Sequence, residues 1–492
     1  MKPLARMVFG PWRPDQAVRG AEGVLADVRN ALWAGSHWQP QPAPAPMASQ
    51  VLPTPIQGIF TTARLDGTTE LFIVAAGHFY RIISRADRDD ITGLSYTEFD
   101  AQETTRWRAV QFSDLLLAVN FENDTQGYDL VTGSPMIPLA AEAPRGRYIA
   151  IVGYWPVIAH TWTPGDGANA YQMRWPGLID GVVDPTAWTP SLATQAGFSP
   201  VSDIGTINGL TGGSFGTIIG ENGVTLMQGS PPWDFSTIER RIGTRAPNSV
   251  VQYRQVTYWW SPDGFMGFDG NQIRAIGTNK INDWFEADFD EGLAYRMWAH
   301  VEAKSGRVRW LYAGIGHDGS QCNRLLSYSP ALDEFSVADV TAQAMGPGKS
   351  FGLTLDDDLF NDLDAFQGSL DDPALWQDQQ QTALVQSGVL ASLTGEPLTA
   401  RFEPAEWQAS PDRRALLTKA MVGHSGGTPT VQVGRAERLG DDPAWSSAHP
   451  RQADGWFRFH EPGRTHRLRV SMSGAWSKVQ WLDVFGAGLG GR

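Results

Sequence analysis

The sequence predicts an all-β fold: a β-propeller of about six blades, followed by a C-terminal β unit. Three observations predict it. The first is a recurring pair of apolar, aromatic-rich runs joined by a short Gly-bearing turn. It appears at residues 70–83 (ELFIVAAGHFYRII), 115–131, 156–175, 215–228, 255–270 and 307–329. The second is the spacing of those turns, roughly 40 to 56 residues, which suits one small antiparallel sheet per repeat. The third is composition. The 53 Gly and 32 Pro fall between short apolar runs, and 20 Trp and 22 Phe supply bulk suited to strand faces.

Taken in order, residues 1–58 read as an N-terminal arm with a short helix. The helix is expected within residues 20–33 (GAEGVLADVRNALW), and the Pro-rich residues 39–48 read as an extended linker or an arm laid on a surface. Residues 59–350 carry the repeats. Residues 351–381 form an acidic excursion whose Leu359, Phe360, Leu363, Phe366 and Leu370 are too frequent for a pure linker. Residues 382–492 hold alternating runs of a different texture, a second β unit or strands that close the ring. Within it, alternation places Arg467 and Arg469 on one strand face and Leu468 and Val470 on the other. That basic face, with Arg464 nearby, would meet an acidic neighbour or stand as a solvated edge.

Charge limits the partners. At a formal −14 the chain lacks the basic surface with which proteins grip nucleic-acid backbones. An acidic wall would still let DNA slide past without sticking; plain solubility is the other reading. The excursion concentrates acids, and Asp356, Asp357 and Asp358 are the candidates for an acidic lumen. Calcium would want several such carboxylates, but the order of an EF-hand loop is absent, which favours a solvated acidic face. One cysteine, Cys322, allows neither an intrachain disulfide nor a Cys-based zinc site. The opening MKPLARMVFGPWRP has no adequate apolar run for a signal peptide. No stretch is long and apolar enough for a membrane span, and folding in the cytoplasm is expected.

Motifs for chemistry are sparse, and no catalytic residue, cofactor or metal ligand is assigned. The nine His form no pair at metal-ligand spacing, and His160, His300 and His424 read as structural. There is no nucleophile elbow and no Walker loop, and Gly486, Gly488 and Gly490 precede no helix. A propeller glycosidase remains the enzymatic alternative, with paired carboxylates. Ser261-Pro262-Asp263-Gly264-Phe265 approaches a sialidase turn, but its Gly comes one position early. A carbohydrate-binding module for receptor attachment, stacking sugars on turn Trp residues, is the other alternative.

Several segments, in order, resemble the tail nozzle proteins of short-tailed phages (podoviruses), the tail tubular protein B type. They begin with Gly35, Trp38 and Pro40 in an extended lead-in segment. Gln172-Met173-Arg174-Trp175 follows, then Asp184-Pro185 with Trp188-Thr189, then Gly209-Leu210 and Gly212-Gly213 before a hairpin. The fullest match runs from Tyr258 through Asp263-Gly264-Phe265, Phe268-Asp269-Gly270 and Ile276-Gly277 to Trp284-Phe285. Gly463-Arg464, His466-Arg467, Arg469, Gly474, Trp476 and Asp483-Val484 are similar to the closing strands, with Thr465 and Pro176 departing from the pattern. The resemblance covers roughly three quarters of the chain. It implies a propeller with inserted tip and platform elements in a structural virion protein made in the host cytoplasm. It further implies six copies around the tail axis, contacts with the tail adaptor ring and with tail fibres or spikes, and a passage that conducts DNA during ejection.

Overall fold

The computed structural model describes residues 3–16, 23–64, 66–93, 96, 98–352, 378–408, 414–438 and 440–488. Seven four-stranded antiparallel sheets follow one another along the chain. Blade 1 is Ile56–Ala63, Thr69–Ala75, His78–Ile82 and Arg88–Asp90. Blades 2 to 6 open with Arg108–Phe112, Arg145–Val152, Ile207–Thr211, Val251–Tyr253 and Trp298–Glu302, and each continues as a meander. Blade 7 is built from two distant parts of the chain. Ala344–Lys349, Gln380–Gln386 and Val389–Ser392 are joined by Ala45–Val51 from the N-terminal arm.

The first strands of blades 1 to 4 touch in turn, as do those of blades 5, 6, 7 and 1. Blades 4 and 5 join through a hydrogen bond of 2.6 Å between the hydroxyls of Thr211, on the first strand of blade 4, and Thr257, on the second strand of blade 5, and through Gln252 Nε2, which donates to the Gly212 carbonyl at 2.6 Å, so the ring is closed. The number of blades is therefore seven, where the hairpin count predicts about six. All six predicted hairpins are the second and third strands of blades 1 to 6. The seventh hairpin, Gln380–Gln386 with Val389–Ser392, lies in the stretch that the sequence groups with the C-terminal unit. The acidic excursion separates it from its first strand, and its outer strand comes from the Pro-rich arm.

Period-two alternation explains why the middle strands are apolar throughout. Leu71, Ile73 and Ala75 face the cluster shared with blade 7, while Phe72 and Val74 face the one shared with blade 2. In blade 2, Leu116 and Ala118 face back and Leu117 and Val119 face forward. Tyr258 and Trp260 of blade 5 point towards blade 6, and Trp259 towards blade 4. A strand between two blades has no solvent face, so both registers are apolar. Among the described residues each of the seven interfaces has its own apolar cluster.

The second body is a ten-stranded sheet wrapped on itself. Its spine is two long antiparallel strands, Ala415–Ala436 and Thr465–Gly488. Both bend near their middles, where Gly426, Gly427 and Gly474 take φ of +74°, +67° and +71°, values that glycine adopts without strain. One half is flanked by Ala5–Val8 and Phe457–Gly463, the other by Ala400–Pro404 and then Leu25–Arg29. The halves close over Phe402, which meets Phe9, Trp38 and Trp476. This core is continuous with that between blades 5 and 6.

The helix expected within residues 20–33 is replaced by strands Leu25–Arg29 and Ala31–Trp33. Tertiary pairing overrides the local pattern. Leu25–Arg29 pairs with Ala400–Pro404, and Asn30, at φ +62°, breaks the run. Its N–H donates to the Val337 carbonyl of blade 6 at 3.0 Å, and its Oδ1 accepts from the Asp339 N–H at 2.7 Å.

The two bodies are also joined by a strap in which residues 41–43 run beside residues 395–398. Ala43 N–H donates to Glu396 O at 3.0 Å, Gly395 N–H to Ala43 O at 2.9 Å and Leu398 N–H to Gln41 O at 3.0 Å. No helix among the described residues is long and apolar enough to cross a membrane.

Ring closure can be tested at Gly346, where a Cβ would lie 2.7 Å from Ile59 Cβ. Gly346→Ala is expected to force blades 7 and 1 apart and cost about 1–3 kcal/mol, read as a lower denaturant midpoint.

Candidate axial site

The axis of the propeller is crossed by a polar network built from residues in and just before the first strands. Arg106 and Arg108 flank Trp107 at the start of blade 2. Trp107 packs into the core between blades 1 and 2, so alternation turns both arginines the other way. Arg106 Nη1 donates to the Ile56 carbonyl at 2.7 Å and Nη2 to the Tyr295 carbonyl at 3.2 Å. Its guanidinium lies 4.3 Å from the centre of the Trp298 ring. Arg108 Nη2 donates to Asn248 Oδ1 at 2.9 Å and stacks 4.7 Å over Tyr148. Asn248 Nδ2 donates in turn to the Tyr295 carbonyl at 2.7 Å. Residues of blades 1, 2, 3, 5 and 6 thus meet across the axis.

Of the cavities that adjoin this network, two are lined by both Arg106 and Arg108. One, of about 300 Å³, is lined by Arg106, Arg108, Arg147, Asn120, Glu122 and Tyr148 among others. The other, of about 150 Å³, lies among the first strands, between Ile59, Trp107, Val250 and Met345, and shares Arg106 and Arg108. Neither Arg106, Arg108 nor Arg147 forms an ion pair with a carboxylate among the described residues. The neutral carbonyls and aromatic faces that hold Arg106 and Arg108 do not neutralise them. Burial pushes Arg106 down to about 10. Burial lowers Arg108 too, with the charge of Arg147 adding to the effect. Such a group of guanidiniums can hold an oxyanion.

Around the ring, Arg296 grips Glu103 with two hydrogen bonds, of 2.6 and 3.0 Å, tying the connection between blades 1 and 2 to the approach to blade 6. Beside it Cys322 is buried. Its thiol donates to the Arg296 carbonyl at 3.4 Å and is pushed up by burial to about 12, which leaves it inert as a nucleophile. In blade 6, Arg309, only 2% exposed, donates to Glu302 at 2.8 Å. Its cross-strand neighbour is His300, which burial and the charge of Arg309 push down to about 4.

The residues singled out in the sequence fall into different places. Asp356, Asp357 and Asp358 lie outside the described residues. Asp263 and Gly264 form the turn between the middle strands of blade 5. Gly264, at φ +106°, leaves room for Asn282, whose Oδ1 accepts from the Phe265 N–H at 3.3 Å. His160 sits at a β-bulge with φ +56° and bonds the Ile207 carbonyl at 3.1 Å. His424 bonds the Gly426 carbonyl at 2.8 Å. Gly486 and Gly488 end a long strand, and Gly490 lies outside the described residues. Arg467 and Arg469 share a half-buried face opposite Leu468 and Val470, as alternation predicts. Their strand is flanked on both sides and is not an edge. Arg469 is held within the chain, by Glu403 at 2.5 Å and over Trp445. The axial arginines were not singled out; the signal that could have marked them is the Arg-Trp-Arg alternation at the start of an inner strand.

No family model matches the chain, and no curated protein matches it. Among solved structures it is similar to the extracellular domain of a one component system from B. thetaiotaomicron, at 10% identity and TM-score 0.42. That match covers 82% of this chain and 47% of the other. BamB from Moraxella catarrhalis is similar at 12% identity and TM-score 0.28, over 48% of this chain and 70% of that one. A computationally designed protein, Ika8, matches at 9% identity and TM-score 0.33, over 72% and 99%. The chain thus spans about half the length of the first of these structures.

His300 sets a pH dependence. Its folded pKa lies below the unfolded value of about 6.5, so the unfolded chain takes up a proton that the native chain refuses. Stability is expected to fall as pH drops from about 6.5 towards 4, and thermal melts of His300→Gln should lose less in that window. Equal losses would remove His300 as a cause.

Proposed function

We propose that this chain is a structural virion protein, a subunit of the distal tail tube, or nozzle, of a short-tailed phage. In this reading six copies assemble in the host cytoplasm around the tail axis and remain in the virion tail. They contact the adaptor ring and the fibres or spikes, and they conduct and gate DNA without binding it specifically. The chain acts as scaffold and channel wall, not as an enzyme.

The observation that carries the reading is the stretch from Tyr258 to Phe285, where the resemblance is fullest. It is one structural unit. Tyr258 and Trp260 pack towards blade 6, and Gly264 makes room for Asn282. Asn282–Asp288 is the described α-helix that follows, and Phe285 meets Phe265 edge to face in the shared core. The N-terminal arm completes it: Asp15 accepts from the N–H groups of Asp283 and Trp284 at 3.0 and 2.9 Å, and Trp12 meets Trp284 edge to face. The matched residues at the two ends of the family pattern, Trp38 and Trp476, share one core with this unit.

Two further features favour an assembly role. The propeller and the second β body give each subunit two different surfaces, as closing a ring by rotation requires. Blade 3 also carries exposed apolar side chains on its outer strands (Tyr171, Phe198), its inserted hairpin (Ile179, Val182) and the loop that follows it (Leu192). Apolar exposure of this kind marks contact with other proteins. A net charge of −14 suits a wall past which DNA slides.

Electron microscopy of the purified chain mixed with tails lacking it is expected to show a six-fold ring added at the distal end. The free ring should sediment at about six times 53.8 kDa, and on the adaptor it should add that mass to it. A chain that stays monomeric, leaves tails unchanged and hydrolyses glycans would overturn the reading.

A further inference from the structure

The axial cavity of about 300 Å³ stands apart from the proposed assembly role. Three guanidiniums line it, against the single carboxylate of Glu122 at its rim, so two positive charges are left over. Arg106 and Arg108 are half-buried against Trp298 and Tyr148, where repulsion between like charges is screened less than on the open surface. Their donors are only partly used. Arg106 Nε is buried with no acceptor. Arg108 spends Nη2 on the carboxamide of Asn248 and, at 3.5 Å, on the Pro247 carbonyl. Among the described residues its Nε and Nη1 reach no acceptor. The Arg147 side chain, on the same cavity wall, makes no hydrogen bond among the described residues, and its guanidinium lies 5.1 Å from the centre of the Phe121 ring.

We propose that this cavity is a binding site for a compact oxyanion, held by the free N–H groups of Arg108 and Arg147 and by the charge of Arg106. A guanidinium fork matches the paired oxygens of phosphate, sulfate or carboxylate. The volume is at the small end of ligand sites and takes an oxyanion, free or carried on one sugar acid, but no polymer. The rigid bonds of Arg106 and Arg108 to backbone carbonyls and Asn248 hold the forks in place before the anion arrives, which limits the ordering cost of binding. Because the network joins five blades across the axis, the bound anion would also hold them together.

Calorimetric titration of the full chain, at constant ionic strength set with chloride, tests the site with inorganic phosphate, sulfate and glucuronate. Saturable binding of at least one is expected, weakened about ten-fold or more in Arg147→Gln. Arg147 is exposed and its side chain forms no hydrogen bond or ion pair among the described residues, so this variant is expected to fold, which circular dichroism checks. Arg108→Lys, which keeps the charge and loses the fork, should weaken binding as well. Binding of phosphate or sulfate alone assigns the site to a free inorganic anion, and binding of glucuronate alone assigns it to a sugar acid. The proposal is overturned if none of the three binds saturably, or if Arg147→Gln binds as the native chain does.

Discussion

Closure of the ring between its first and seventh blades is the constraint on which the rest of this structure depends. Each blade needs a neighbour on both faces, because its middle strands are apolar on both. An open array would leave the Leu71 and Ile73 face of blade 1 and the Ala383 and Val385 face of blade 7 in water. The chain closes the ring by donating Ala45–Val51 to the outer edge of blade 7 before beginning blade 1. The N-terminal arm is thus committed to the last blade, and everything before it is placed beside the strands that follow that blade. The second body is the result: strands from both ends of the chain share one sheet.

Much of this was legible in the sequence, for a physical reason. The six hairpins stood out because their strands lie between two apolar layers and so read as unbroken runs such as LLLAV and YWW. The seventh blade was illegible as a repeat. Its first strand is cut off from its hairpin by the acidic excursion, and Ala45–Val51 lies beyond the opposite end of the repeats. The helix expected near Val28 fails because its amphipathic pattern is also that of a strand broken at Asn30, and pairing with Ala400–Pro404 decides between the two. Alternation correctly assigned the faces of Arg467 to Val470. It could not reveal that their strand is internal, since that depends on partners more than 30 residues away.

The axial arginines were hidden by the same kind of distance. Arg106 and Arg108 are ordinary charged residues in sequence, and only the meeting of blades 1, 2, 3, 5 and 6 gives them Ile56, Asn248, Tyr295 and Trp298 as neighbours. The cost of gathering such charges is met in part by aromatic faces and carbonyl dipoles. Packing between blades holds the arginines where no local preference would put them. In the same way Asp15 reaches the start of the short helix only because the second body places the N-terminal arm there.

The strap between residues 41–43 and 395–398 also has a mechanical meaning. A single linker would let the two bodies swing, but two antiparallel segments cross-bonded through their backbones bend as one ribbon and resist twist. Leu25–Trp33, laid along blade 6, makes a second attachment on a different blade. Torque applied to the second body would therefore pass to the rim of the propeller at two points and turn it as a unit, as a key turns a lock barrel.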